Sequence, residues 1–88
     1  MSIDWEKEAR GIIRAEMVRR KISYKVLAAR FEKIGAPEPE KIIANKVARA
    51  KFSAAFLFKC LFVMGVRQID LSVLDNPEKS SGLDGIGK

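Results

Sequence analysis

The 88-residue sequence predicts an all-α domain over residues 1–74, a compact bundle of four to five short helices. Three observations predict it. Apolar residues recur at helical spacing in successive segments. Helix-start and helix-stop residues, Ser23 and Ser53 against Gly35 and Gly65, punctuate those segments. One stretch, Phe52 to Gly65, is apolar almost throughout, with Lys59 its only charge. A hydrophobic share of 48% suffices for one small core in a chain of this length.

The first helix, capped by Asp4 or Ser2, is expected to run to about Arg20. Trp5, Ala9, Ile12, Ile13 and Met17 form its apolar stripe, while Glu6, Lys7, Arg10 and Arg14 occupy the other face. It closes on Arg19, Arg20 and Lys21. Basic residues in a last turn complement the macrodipole, but three together exceed what a helix end requires. Phosphate contact and a solvated helix end are equal readings of that cluster.

Ser23 caps a second helix from Tyr24 to about Ile34. Val26, Leu27, Phe31 and Ile34 are expected to face inward, Ala28 and Ala29 to allow a close neighbour, and Lys25, Arg30 and Lys33 to stay outside. Gly35 stops the helix, and Ala36-Pro37-Glu38-Pro39-Glu40 makes the turn, since proline disfavours helical geometry in the residue before it.

The third helix starts near Pro39, a residue suited to a first helical position, and continues to Ala50. At about 100° per residue, Ile43, Val47 and Ala50 share one side. Lys41, Asn45 and Arg49 line the opposite side with the small Ala48 beside them and Lys46 on the flank. Such a stripe is either an ordinary solvated face or a row of base and phosphate readers.

The fourth helix runs from its Ser53 cap to Gly65. It is too short for a bilayer, which needs about 20 apolar residues. Being apolar on nearly every side, it is expected to lie buried with the other helices wrapped around it. Phe58 and Phe62 nevertheless fall opposite Phe56, Cys60 and Val63, so a second apolar face can remain for a second copy of the chain. The alternative is a monomer in which Trp5 and Ile12 cover everything.

Beyond it, Ile69, Leu71 and Val73 alternate with Asp70 and Ser72, the two-residue period of a half-buried strand. The chain holds no second strand for it. Either it packs on the bundle as a short helix or extended tail, or it pairs as a short C-terminal strand across a two-fold dimer interface. Residues 75–88 lack periodicity and are rich in Gly, Ser and charge, and are expected to form a flexible tail.

Seventeen Lys and Arg against 11 Asp and Glu give a net charge of +6, which points to an anionic partner, usually nucleic acid. One cysteine excludes an internal disulfide, and the absence of histidine excludes the usual zinc spacings. Cys60 reads as core packing. No apolar secretory segment opens the sequence, so a reducing, cytoplasmic setting is expected, with no membrane partner. There is no histidine for general-base work, no partnered nucleophile, no Gly-rich phosphate cradle and no convincing carboxylate pair. An enzyme is not expected, nor is a cofactor. Glu38 and Glu40 read as helix-start charges.

Two resemblances add to this. Ser23-Tyr-Lys-Val-Leu-Ala-Ala-Arg-Phe31, Asn45-Lys-Val-Ala-Arg-Ala-Lys51 and Phe56-Leu-Phe-Lys-Cys-Leu-Phe-Val-Met-Gly-Val66 resemble successive parts of the five-helix Cro/Xre (lambda-repressor-like) helix-turn-helix fold. Trp5, Ser23-Tyr24, Leu27-Ala28, Asn45-Lys46, Arg49, Lys51-Phe52-Ser53 and Phe56 are closer still to the pattern of a bacterial family of small proteins classed as a domain of unknown function. That likeness covers roughly residues 4 to 71. The first resemblance implies a third helix in the major groove, making Lys41, Asn45, Lys46 and Arg49 base readers. In that geometry Asn suits adenine, and Arg or Lys suits guanine. It implies phosphate contacts from Ser23, Tyr24, Lys25 and Lys51, joined by the basic end Arg19 and Arg20. The chain departs from that fold in its longer, proline-rich turn and in the acids at the start of the third helix.

The leading expectation is therefore a homodimeric, double-stranded-DNA-binding transcriptional regulator, with Phe58, Phe62, Ile69, Leu71 and Val73 at the dimer interface. The competing expectation is a protein-protein interaction module on the same scaffold, without specific DNA binding.

Overall fold

The computed structural model describes residues 3–74; the expected tail, 75–88, lies outside them. Four α-helices follow in order: α1 (Trp5–Arg20), α2 (Tyr24–Lys33), α3 (Glu40–Arg49) and α4 (Ala54–Val63). A single 3₁₀ turn spans Leu71–Leu74. The described residues contain no strand.

Local chemistry accounts for both ends of each helix. Asp4, Ser23 and Ser53 accept the backbone N–H of Lys7, Val26 and Phe56, so three helices start on a side-chain cap. The exception is α3, whose cap position holds Pro39 and whose first N–H groups receive no side-chain oxygen. Apolar residues just before two caps strengthen those starts. Ile22 precedes Ser23 and is buried in the same cluster as Leu27, while Phe52 precedes Ser53 and packs on the core with Leu57. These are hydrophobic staples, which set the angle at which the chain enters a helix.

All four helices end alike. The amides of Ile22, Ala36, Lys51 and Val66 reach back five residues to the carbonyls of Met17, Phe31, Lys46 and Leu61. Inside each, the amides of Lys21, Gly35, Ala50 and Gly65 reach back three. This Schellman pairing requires a left-handed residue. Gly35 (φ 75°) and Gly65 (φ 81°) meet that need without strain, but Lys21 (φ 56°) and Ala50 (φ 55°) meet it despite a Cβ.

The core joins all four helices through Ile13 and Met17, Leu27 and Phe31, Ile43 and Val47, and Phe56, Cys60, Leu61 and Met64, with Ile22 between elements. Phe31 and Phe56 meet edge to face at 6.0 Å, and Phe52 lies 5.3 Å from Phe56. α2 packs on α3 and on α4, and α1 packs on α4 and α3. Arginines brace the helix ends at long sequence range. Arg20 and Arg30 donate to the carbonyls of Met64 and Val63 at the end of α4, at 3.2 and 2.9 Å. Arg10 donates to the Ala48 carbonyl near the end of α3, at 3.0 Å.

Several expectations are corrected. α4 is not enveloped: Phe58 and Phe62 are 64% and 70% exposed, because α1 and α2 cover only one of its sides. Trp5, expected in the inward stripe, is 63% exposed at the open end of α1 and covers neither phenylalanine. Val26 and Ile34 are more than a third exposed, one on the flank of α2 and the other past its end. Of the two readings of the alternating segment, the short helix is the one seen: Asp70 accepts the Ser72 amide at 2.9 Å, which turns the chain into the 3₁₀ helix over Leu71–Leu74. That hydrogen bond also holds the Asp70 carboxyl below its ordinary pKa.

Candidate nucleic-acid interface

The outward face of α3 is built by elimination. Ile43 and Val47 are wholly buried and Ala50 nearly so, which fixes the rotation of the helix. Helical spacing then sends Lys41, Asn45 and Ala48 to the opposite side and Arg49 to its edge. All four are exposed. Among the described residues, Lys41, Asn45 and Arg49 have no hydrogen-bond or ion-pair partner.

Lys46 differs. It is half-buried, its ammonium is ion-paired with the Glu38 carboxylate, and it lies 5.0 Å from the centre of the Phe56 ring. An opposite charge and an aromatic face together hold it against the protein. The same pairing explains the acids in the turn. Glu38 is only 14% exposed and is neutralised by Lys46, so it does not project beside the outward stripe. Glu40 stays exposed and lines a shallow groove with Ala28, Ala29 and Glu32 of α2. On the wheel it stands about 140° from Asn45 and about 180° from Arg49.

The expected phosphate contacts fall into two groups. Lys25 is exposed and has no partner among the described residues. Ser23, exposed, uses its hydroxyl to cap α2, and Tyr24 is half-buried against the core. Lys51 donates to Glu6 at 2.9 Å, which raises its pKa above the ordinary value. Arg19 and Arg20 both lie on Glu16, at 3.6 and 3.0 Å, and Arg20 also bonds the end of α4. The basic cluster closing α1 is thus partly spent within the fold.

The expected dimer residues are split as well. Phe58 and Phe62 project from α4 beside the exposed Ala55, and Ile69 and Leu71 are 39% and 61% exposed further along the chain. Val73 lies in the 3₁₀ turn, and its side chain lies outside the described residues.

Cys60 is buried, and burial pushes its thiol up to about 12. Among the described residues no group of three or more acidic, cysteine or histidine side chains could hold a metal ion. No helix of the described residues is long and apolar enough to cross a membrane. A groove between α1 and residues 68–70, lined by Ile12, Glu16, Arg19, Ile69 and Asp70 among others, escaped the sequence reading. Only the return of the chain along α1 creates it.

No curated protein and no solved structure matches the chain. A family model does, across residues 5–69, which takes in all four helices. The chain belongs to the family described as Domain of unknown function (DUF6471).

Proposed function

We propose that this domain is a non-enzymatic, double-stranded-DNA-binding protein that acts as a homodimer in transcriptional regulation. In this reading α3 lies in the major groove in the manner of a helix-turn-helix recognition helix. One observation carries it. Lys41, Asn45 and Arg49 form an exposed row on α3 with no partner among the described residues, while Glu38, the nearby acid, is tied to Lys46. Lys25, at the start of α2, supplies a phosphate contact. A dimer is supported by Phe58 and Phe62, two large apolar side chains adjacent on one helix face and mostly exposed.

Fluorescence anisotropy with mixed-sequence duplex DNA tests the reading. Six to ten phosphate contacts per dimer predict an affinity loss of about 10³–10⁵ between roughly 50 and 200 mM salt. Absence of binding at the lower salt rejects it.

A second reading, a protein-interaction module, rests on the groove where Glu32 and Glu40 flank Ala28 and Ala29. Its acidic rim suits a basic segment of a partner protein. Retention of a lysine-rich peptide, lost on Glu40→Lys while DNA binding is nil, would favour this reading over the first.

A further inference from the structure

We infer that α3 reads an adenine and a guanine about two base-pair steps apart, Asn45 taking the adenine and Arg49 the guanine. The inference rests on the DNA-binding reading above and adds the sequence content of the site. Asn45 and Arg49 are four residues apart, which is about 6 Å along a helix. Successive bases along one strand rise about 3.4 Å, so the two side chains address positions about two steps apart. The asparagine carboxamide matches the N6 and N7 edge of adenine, and the arginine fork matches O6 and N7 of guanine.

The structure also decides which cation does the reading. Lys46 is next to Asn45 and Arg49 about one turn beyond it, and from spacing alone either could serve. Lys46 is held by Glu38 beneath the Phe56 ring, whereas Arg49 is exposed and unpaired among the described residues. Arg10 of α1 bonds the Ala48 carbonyl and so braces the end of α3 that carries Arg49. Ala48 ends in a methyl group, short enough for the backbone between the two readers to approach the groove. Lys41 stands a further turn toward the N-terminus, where a single mobile ammonium fits a phosphate.

Selection from a randomised duplex pool tests this, using the wild-type chain, Asn45→Ala, Arg49→Ala and Lys46→Met. Circular dichroism melts serve as the folding control. The wild type should enrich sites with the two bases about two steps apart. Asn45→Ala should flatten the adenine position alone and Arg49→Ala the guanine position alone. Each loss corresponds to about 5- to 150-fold in discrimination. Lys46→Met should keep both preferences. Salt-sensitive binding with no such pair of positions, or with preferences that survive both alanine variants, overturns the inference and leaves DNA binding standing. A wild-type chain that retains no duplex at low salt removes both.

Discussion

α3 and α4 are both ten residues long, and both turn a buried stripe to the same core, yet they differ everywhere else. α3 buries aliphatic Ile43 and Val47 and presents Lys41, Asn45 and Arg49 to water. α4 buries Phe56, Cys60 and Leu61 and presents Phe58 and Phe62. Their ends differ too. α4 starts on the Ser53 hydroxyl and stops on Gly65, whereas α3 starts on Pro39 and stops on Ala50 in a left-handed conformation. The inner faces alone would make the two helices equivalent. The difference between them therefore resides in the outer faces, one polar and the other apolar.

The largest contrast lies within α4 itself. Burial pushes Cys60 to about 12 while Phe58, two residues before it, is mostly exposed. At pH 8 the native thiolate population should be about a thousand-fold below that of the unfolded chain. Alkylation by iodoacetamide should be correspondingly slow until denaturant is added. Fast native labelling would mean that α4 opens readily and that its inner face is not held as described.

Equivalence of the inner faces can be broken next. Phe56→Ala should cost about 3–5 kcal/mol and Ile43→Ala about 2–5 kcal/mol in urea unfolding. A loss at Ile43 below about 1 kcal/mol would show that α3 is docked more loosely than α4. Outer-face changes should leave stability nearly untouched, within about 0.5 kcal/mol. Arg49→Ala should instead weaken DNA binding by about 1–3 kcal/mol. Phe58→Glu with Phe62→Glu should convert a dimer to a monomer in sedimentation equilibrium, and a dimer that persists would place the interface elsewhere.

The helix ends give the smallest energies. Gly65→Ala should cost about 1–2 kcal/mol through backbone conformation alone, because among the described residues the added Cβ meets only Arg20 Nη1, at an ordinary 3.7 Å. Ala50→Gly should move stability the other way by about 0.5–1 kcal/mol. Equal signs would remove the left-handed terminus as the point of contrast. Smallest of all is the exposed pair that links α1 to the second residue after α3. The pKa of Lys51 is raised by Glu6, so its contribution is present at neutral pH, intact below 10.5, and lost as pH climbs through the higher folded-state value. A melting series at alkaline pH on wild type and Lys51→Met should show that slope only in the wild type.

Much of the fold was legible in the residues. Ser23 and Ser53, Gly35 and Gly65, and the spacing of Ile13 with Met17, Leu27 with Phe31 and Ile43 with Val47 place all four helices and most of the core. The outward position of Lys41, Asn45 and Arg49 follows from Ile43 and Val47 alone. Ile22 and Phe52 could have been read as staples from their position just before a serine cap. The left-handed turns at Lys21 and Ala50 had no such signal, since neither residue favours that conformation. At Leu71 the residues left a short helix and a strand open, because alternation over five residues describes side-chain character and says nothing of a neighbouring strand.

By itself, then, the sequence determined the helices, their caps and the side that each turns inward. Those properties depend on hydrogen bonds and side-chain spacings within a few residues. Tertiary structure decided which charges remain available and which apolar residues remain uncovered. Lys46 meets Glu38 across 8 positions, Arg30 meets Val63 across 33, Arg10 meets Ala48 across 38, Arg20 meets Met64 across 44, and Lys51 meets Glu6 across 45. No local periodicity encodes such pairings; they exist because packing brings distant helix ends together. Exposure of Trp5, Phe58 and Phe62 has the same origin: four short helices can close around one core, and α4 contributes only one of its faces to it.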